Sequence, residues 1–208
     1  MLWLLALSAA GGLGYLLGSL PTAYLVAQRV GGTFADIRLA GDGNAGAANI
    51  GHMLGSRWGV LVGTVDIVKG AVPVLFFNVL AGSWDTVSGL GLLSGAAAIG
   101  GHVWPVWLRF RGGRGAATAV GVTGAVLTGP VLLVALPALA ILWRTRSTTL
   151  TLAFVYVSSI ILGRILFDVS WGIICYCVGL FIVVGAVHFW SLKFRSRPAE
   201  SVSISPLP

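Results

Sequence analysis

Apolar stretches long enough to cross a bilayer recur along almost the whole chain, and they constrain the fold more than any other feature. The clearest cover roughly residues 2–28, 58–80, 89–107, 148–166 and 171–188. A membrane-spanning helix needs about 20 mostly apolar residues and satisfies all its backbone groups internally. Of the 208 residues, 57% are hydrophobic and 9% are charged, whereas soluble domains average about 25% charged residues. The sequence therefore predicts an all-α polytopic membrane protein.

The stretch at 115–143 decides the number of spans. It is long for one crossing but short for two full ones, and we predict two short spans that turn at Gly129–Pro130. With the N-terminus outside and the C-terminus cytoplasmic, the resulting seven transmembrane helices place eleven of the thirteen Lys and Arg residues on one side. The positive-inside rule makes that side cytoplasmic. We expect one integral-membrane domain over 1–190 and a cytoplasmic tail over 191–208.

Several classes of partner are disfavoured by charge and spacing. The net charge of +7 reflects topology and anionic lipid headgroups in such a protein, so no nucleic acid is expected. Cys175 and Cys177 would lie on nearly opposite faces of a helix, which argues against a disulfide between them. The three histidines lack metal-ligand spacing. We therefore expect no metal and no cofactor.

Three predicted cytoplasmic segments gather most of the unusual polar residues. They cover 18–24 with 34–59, then 100–118, and then 187–200. In the first, "AGDGNAGAANIGHMLG" at 40–55 frees the backbone to point consecutive N–H groups at an anion, although a plain connecting loop is the alternative. Asp42 would repel an anion there unless it pairs with an arginine. It is also placed to cap a helix that starts near Ala45.

The second segment contains "RFRGGRG" at 109–115, directly before an apolar stretch. Guanidinium groups beside a helix N-terminus predict a phosphate or carboxylate site, and a positive-inside anchor is the alternative. Upstream, Asp66 and Lys69 lie three apart inside a span, where charges are costly unless they pair. Structural pairing and substrate contact both remain open for that pair.

Five stretches carry a resemblance to one family. "GSLPTAYLVAQ", "DIRLAGDGNAGAAN", "DIVKG", "GHVWPVWLRFRGGRGAAT" and, in outline, "HFWSLKFRSRPAE" resemble the motifs of the bacterial acyl-phosphate-dependent glycerol-3-phosphate acyltransferases, the PlsY family. The resemblance covers essentially the whole chain. It implies a seven-helix enzyme of the bacterial inner membrane whose motifs face the cytoplasm. Such enzymes transfer an acyl group from acyl-phosphate to the 1-hydroxyl of glycerol 3-phosphate, which yields lysophosphatidic acid and phosphate for phospholipid synthesis.

The resemblance also implies site residues. The catalytic positions are His188, Arg114 and Asn44, and the positions that bind substrate or phosphate are Ser19, Arg38, Gly43, Asn49, Lys69, His102, Gly112, Gly113 and Glu200. In this hypothesis Arg38, Asn44 and the loop 112–115 bind phosphates, while His188 and Glu200 position the acceptor. Two alternatives stand beside it: an inactive relative that binds a lipid or a partner protein, and an anion or lipid transporter.

The chain departs from the family pattern at several motif positions. Asp42 replaces a usual serine, Ala48 a threonine, Arg114 a lysine and Ser191 an asparagine, while Phe194 occupies a usual arginine position. Arginine for lysine keeps the charge but changes the hydrogen-bonding geometry. These departures favour the inactive alternative, and the retained "GGHVWP" and paired glycines oppose it.

Overall fold

The computed structural model describes residues 1–31, 36–83 and 87–195, without the side chains of 194 and 195. Within these ranges the chain is helical and contains no strand, which confirms the predicted all-α class. Two 3₁₀ turns cover Ile37–Leu39 and Val106–Leu108. The α-helices of the described part are α1 (Leu2–Gly18), α2 (Thr22–Val30), α3 (Ala47–Leu54), α4 (Ser56–Leu80), α5 (Gly89–Val103), α6 (Ala116–Val126), α7 (Thr128–Thr145), α8 (Thr148–Leu166) and α9 (Trp171–Arg195).

Some of these helices are long enough to span a membrane and others are not. Over the described residues, the stretches long and apolar enough to cross a bilayer are Leu2–Val30, Ser56–Leu80, Thr128–Thr145, Thr148–Leu166 and Trp171–Lys193. Helices α5 and α6 are shorter, at 15 and 11 residues. Large apolar side chains such as Leu136 and Ile165 are exposed on the outside of the bundle, as a surface facing lipid requires.

The first predicted span is divided in two. Helix α1 ends at Gly18 and α2 starts at Thr22, because Pro21 has no N–H group to donate and restricts the residue before it. A break inside a membrane leaves carbonyls that need partners. Here the Nζ of Lys69 donates to the carbonyl of Leu20 at 2.9 Å. The break therefore becomes part of a polar cluster inside the bundle.

Residues 115–143 form two helices, as expected, but the chain turns earlier than Gly129–Pro130. The break is at Leu127, which has non-helical backbone angles. Pro130 lies instead in the first turn of α7, where a missing N–H costs nothing. A side chain on Gly129 would approach the Phe167 ring to 2.4 Å. Gly129 thus lets the start of α7 pack against the end of α8.

Glycines bring α1 and α5 into backbone contact. A Cβ atom on Gly14 would lie 2.3 Å from the carbonyl oxygen of Ser94, and one on Gly18 would lie 2.0 Å from that of Ala98. Small residues that allow such an approach are a common means of packing membrane helices. This contact sets the end of α5, with His102, beside Ser19 at the end of α1.

We predict that Gly14→Ala destabilises the protein, although alanine is the better helix former. The added methyl group meets the Ser94 carbonyl, and overpacking costs about 1–3 kcal/mol. Thermal unfolding in detergent should therefore begin several degrees lower, at about 2–4 °C per kcal/mol. Gly12→Ala is the control, since nothing lies within 4 Å of a Cβ there. Equal losses in both variants would contradict the packing argument.

Candidate active site

A polar cleft lies where α1, α2, α4 and α5 meet the loop before α6. The space in it that a water-sized sphere can occupy is about 10 Å³, which is room for roughly one water molecule. Five of the residues predicted for the site line this cleft: Ser19, Lys69, His102, Gly112 and Gly113. Asp66, Thr22 and Tyr24 also line it, and the predicted site did not include them.

The floor of the cleft is a buried ion pair beside a histidine. The Nζ of Lys69 lies 2.9 Å from Oδ1 of Asp66, so the structural pairing, one of the two alternatives for these residues, is present. His102 Nδ1 lies 3.8 Å from the same oxygen and has no hydrogen-bond partner among the described residues. A lysine ammonium has three donors, of which one goes to the Leu20 carbonyl, while the Asp66 carboxylate lies at ion-pair distance. Lys69 therefore keeps donor capacity for a ligand.

The paired glycines, Gly112 and Gly113, allow close packing, and their N–H groups are already hydrogen-bonded within the protein. The N–H of Gly112 donates to the Val103 carbonyl, and that of Gly113 to the His102 carbonyl. A Cβ atom on Gly113 would come within 2.2 Å of His102 Nε2. Only glycine thus lets this loop lie against the imidazole. The position of Arg114 is set by the same contacts.

Asn49 organises the first loop from inside. Its Nδ2 donates to the carbonyls of Ile37, Ala40 and Asn44 at 3.3, 2.9 and 3.0 Å, and its Oδ1 accepts from the N–H of Asp42. Nearly all the bonding capacity of this amide is used within the loop. Asn49 therefore shapes the site, and the described structure does not direct its side chain at a ligand.

The expected helix cap at Asp42 is wrong. Helix α3 starts at Ala47, its N-cap is Gly46, and no side chain caps it. Asp42 Oδ1 instead accepts from the N–H of Asn44 at 3.0 Å, a local turn typical of aspartate. Gly43, between them, has a φ of +70°, which favours glycine.

Asn44 carries an unsatisfied polar atom. Its Oδ1 is buried and has no partner in the described part of the chain. Such an atom costs about 1–3 kcal/mol if nothing binds it. Asn44 is thus suited to a ligand or an ordered water, in keeping with its predicted place in the site.

Arg38 ties the first loop to the second. Its guanidinium binds the Asp36 carboxylate, and its Nη1 donates to the carbonyls of Leu108 at 2.8 Å and Arg111 at 3.1 Å. Burial raises the pKa of Asp36, but the hydrogen bonds and charge of Arg38 outweigh burial and lower it below the ordinary 3.8. The hydrogen bond to Asp36 raises the pKa of Arg38. Because these contacts engage every guanidinium nitrogen, Arg38 serves as a clamp between loops.

Arg114 is where the three polar segments meet. Its Nη1 lies 3.0 Å from Asp42 Oδ2, and its Nε donates to Ser191 Oγ at 2.7 Å. Ser191 donates in turn to the carbonyl of His188, one turn earlier on α9. Asp42 thus has the arginine partner that an anion site requires. Glu200 lies outside the described residues.

Helix α6 starts directly after Arg114 and has an open N-terminus. Within the described chain, the N–H groups of Ala116, Ala117 and Thr118 have no backbone partner in the preceding loop, and no side chain caps them. The first turn of a helix attracts anions through such groups and the helix dipole. Arg114 and this turn thus place N–H donors and positive charge next to each other beside the cleft.

These features describe a helical membrane protein with Lys69, Arg114 and other polar groups gathered beside one cleft. The family model described as glycerol-3-phosphate acyltransferase matches residues 9–197. The chain therefore belongs to the glycerol-3-phosphate acyltransferase family, and it is a membrane acyltransferase.

Individual relatives agree with this assignment. "Glycerol-3-phosphate acyltransferase 4" of Dehalococcoides mccartyi is 41% identical over 89% of this chain and 94% of its own. The enzyme of Desulforudis audaxviator is 41% identical over 85% of this chain and 84% of its own. Crystal structures of the integral membrane enzyme PlsY also match. The glycerol 3-phosphate form has a TM-score of 0.73 and 30% sequence identity, over 90% of this chain and 88% of that one. The lysophosphatidic acid form has a TM-score of 0.72 and 28% sequence identity, over 90% of each chain.

We predict that Asp36→Asn destabilises the protein by about 1 kcal/mol at neutral pH, because it weakens the clamp on Arg38. A lowered carboxyl pKa contributes stability above the unfolded value, near 3.8, and loses it as the pH falls through the folded value. The unfolding temperatures of the two proteins should therefore differ at pH 7 and converge only as the pH falls below 3.8 and through the folded pKa. Asp168→Asn, at a largely exposed pair with Arg164, should have little effect at either pH. A difference that persists at low pH would contradict this origin.

Proposed function

We propose that this enzyme transfers an acyl group from acyl-phosphate to the 1-hydroxyl of glycerol 3-phosphate and releases lysophosphatidic acid and phosphate. The observation that carries the proposal is that Lys69 and the paired glycines 112–113 line one cleft, and that this loop continues into Arg114 and the open N-terminus of α6. Both substrates are phosphate anions, and such a site offsets their repulsion. The names and bound forms of the relatives support the same substrate pair.

The chemistry needs orientation more than strong acid or base catalysis. An acyl-phosphate is a mixed anhydride, so its carbonyl carbon is already activated. The acceptor oxygen forms a bond to that carbon, the bond from carbon to the phosphate oxygen breaks, and the hydroxyl proton passes to His188 or to a phosphate. Holding both anions in line supplies most of the rate gain. No metal or cofactor takes part in this scheme.

The contacts divide the proposed residues into two roles. Groups with bonding capacity left for a ligand are Lys69, Asn44, Arg114 and the first amides of α6. We assign the phosphates to these groups, and the placement of the acceptor to His188 and Glu200. The residues that shape and hold the surrounding loops are Ser19, Arg38, Gly43, Asn49, His102, Gly112 and Gly113.

We further propose that residues 1–190 form one domain with seven membrane-crossing segments, followed by a cytoplasmic tail at 191–208. Helices α5 and α6 would complete the crossings made by the five longer stretches. The excess of basic residues at the site end supports an inner-membrane protein whose site opens to the cytoplasm. Acyl-phosphate and membrane lipids are then available to it at the same surface.

We predict that Arg114→Ala and Asn44→Ala each lower acyl transfer by about 100-fold or more, since each removes a polar group aimed at transferring phosphate. The assay uses detergent-purified protein, acyl-phosphate and labelled glycerol 3-phosphate, with lysophosphatidic acid and phosphate both quantified. Arg144→Gln, an exposed basic residue at the end of α7, should remain near wild type. Unchanged rates in folded Arg114→Ala would overturn the site, and an inert wild-type enzyme would overturn the activity.

Topology has its own test. In a background with both native cysteines replaced by alanine, Ser56→Cys lies at the start of α4 on the site side, and Ser170→Cys lies just before α9 at the other end. Both serines are exposed. An impermeant maleimide should label Ser170→Cys in spheroplasts and reach Ser56→Cys only after permeabilisation. The reverse pattern would show an inverted protein.

A further inference from the structure

Arg114 is held at two of its three guanidinium nitrogens. Nε donates to Ser191 Oγ at 2.7 Å, and Nη1 lies 3.0 Å from Asp42 Oδ2. Nη2 donates no hydrogen bond to a described residue. The side chain is only 13% exposed. This arginine is therefore fixed in direction, with one nitrogen left over.

The two partners of Arg114, Asp42 and Ser191, lie far apart in the sequence, and each is held by hydrogen bonds of its own. Asp42 is held in its loop by hydrogen bonds to the N–H of Asn44 and from its own N–H to Asn49. Ser191 is held on α9 by the carbonyl of His188. Neither partner can follow the guanidinium freely if it rotates. The plane of the Arg114 guanidinium is thus set by the protein before any ligand arrives.

The arrangement changes what the arginine offers to a phosphate. A free guanidinium grips phosphate with two parallel N–H groups, either Nε with Nη2 or Nη1 with Nη2. In each of these forks one member already contacts the protein, Nε at Ser191 and Nη1 at Asp42. Nη2 is the member that donates no hydrogen bond to a described residue. The carboxylate also offsets part of the positive charge that the phosphate meets.

We propose that Asp42 and Ser191 are positioning residues that hold Arg114 as a one-nitrogen phosphate donor. They thereby keep the site from gripping the phosphate product too tightly. This inference rests on the proposed function, since release of phosphate matters only if phosphate is a product. Breaking either contact completes a fork and strengthens the grip on phosphate.

The decisive measurement is inhibition by inorganic phosphate. Asp42→Ser keeps an oxygen for the Asn44 N–H but lacks the charge and the reach to Arg114. We expect its inhibition constant for phosphate to fall about 5–10-fold, the size of one added hydrogen bond of ordinary strength. The KM for acyl-phosphate and kcat should both fall, as tighter phosphate binding requires. Asp42→Glu should stay within about twofold of wild type, and so should the control Asp168→Asn.

A second variant and a second background keep the test decisive. Ser191→Ala frees Nε and should lower the inhibition constant about threefold, even if Asp42→Ser fails to fold. In an Arg114→Lys background no fork exists, so Asp42→Ser should change phosphate inhibition by less than about twofold. A full effect in that background would show that Asp42 acts through charge alone and would overturn the proposal. An unchanged or raised inhibition constant in well-folded Asp42→Ser and Ser191→Ala would overturn it as well.

Titration of inorganic phosphate into resting protein separates this proposal from the proposed function. If the wild-type enzyme turns over acyl-phosphate but Asp42→Ser binds phosphate no more tightly, only the positioning proposal fails. If the wild-type enzyme is inert but Asp42→Ser binds phosphate more tightly than wild type, the proposed reaction fails and the positioning of Arg114 by Asp42 is supported.

Discussion

The buried pair of Lys69 and Asp66 is the contact on which the site depends. An ammonium inside a membrane bundle is tolerated only when it is paired and hydrogen-bonded. Lys69 meets both needs, through Asp66 on its own helix and through the Leu20 carbonyl exposed by the break between α1 and α2. One side chain thus joins α4 to the broken first span, while Asp66 faces His102 on α5. The cleft forms around this junction.

Most of the fold followed from local signals in the sequence. Apolar length located the long helices, and the excess length at 115–143 predicted two helices in one stretch. The predictions that were wrong concern the positions at which one helix ends and the next begins. Pro21 divides the first span, and the break is tolerated because Lys69 on α4 donates to the freed carbonyl of Leu20. The turn falls at Leu127 because Pro130 is compatible with the first turn of a helix. Neither outcome can be decided from apolar length alone.

The sequence predicted which polar residues lie together better than it predicted the contacts that each one makes. Lys69, His102 and the paired glycines come together around the cleft, as the motifs implied. Asn49 and Arg38 were expected to bind substrate. The Asn49 amide instead donates to backbone carbonyls of its own loop, and the Arg38 guanidinium binds the Asp36 carboxylate and the carbonyls of Leu108 and Arg111. The partners of Arg114 were also missed as site residues. Yet Asp42, Arg114 and Ser191 are three positions where the chain departs from its family pattern, and they touch one another.

The short length of α5 determines how deep the site lies. Its start is anchored to the far end of α4, where Asn78 Oδ1 accepts from the N–H of Ser88. Over 15 residues α5 rises about 22 Å, whereas the 25 residues of α4 rise about 37 Å. The cleft at the end of α5 is therefore recessed about 15 Å from the start of α4. At that depth an acylated substrate can present its head group while its tail stays among the lipids, which avoids a cost of about 0.8 kcal/mol for each methylene moved into water.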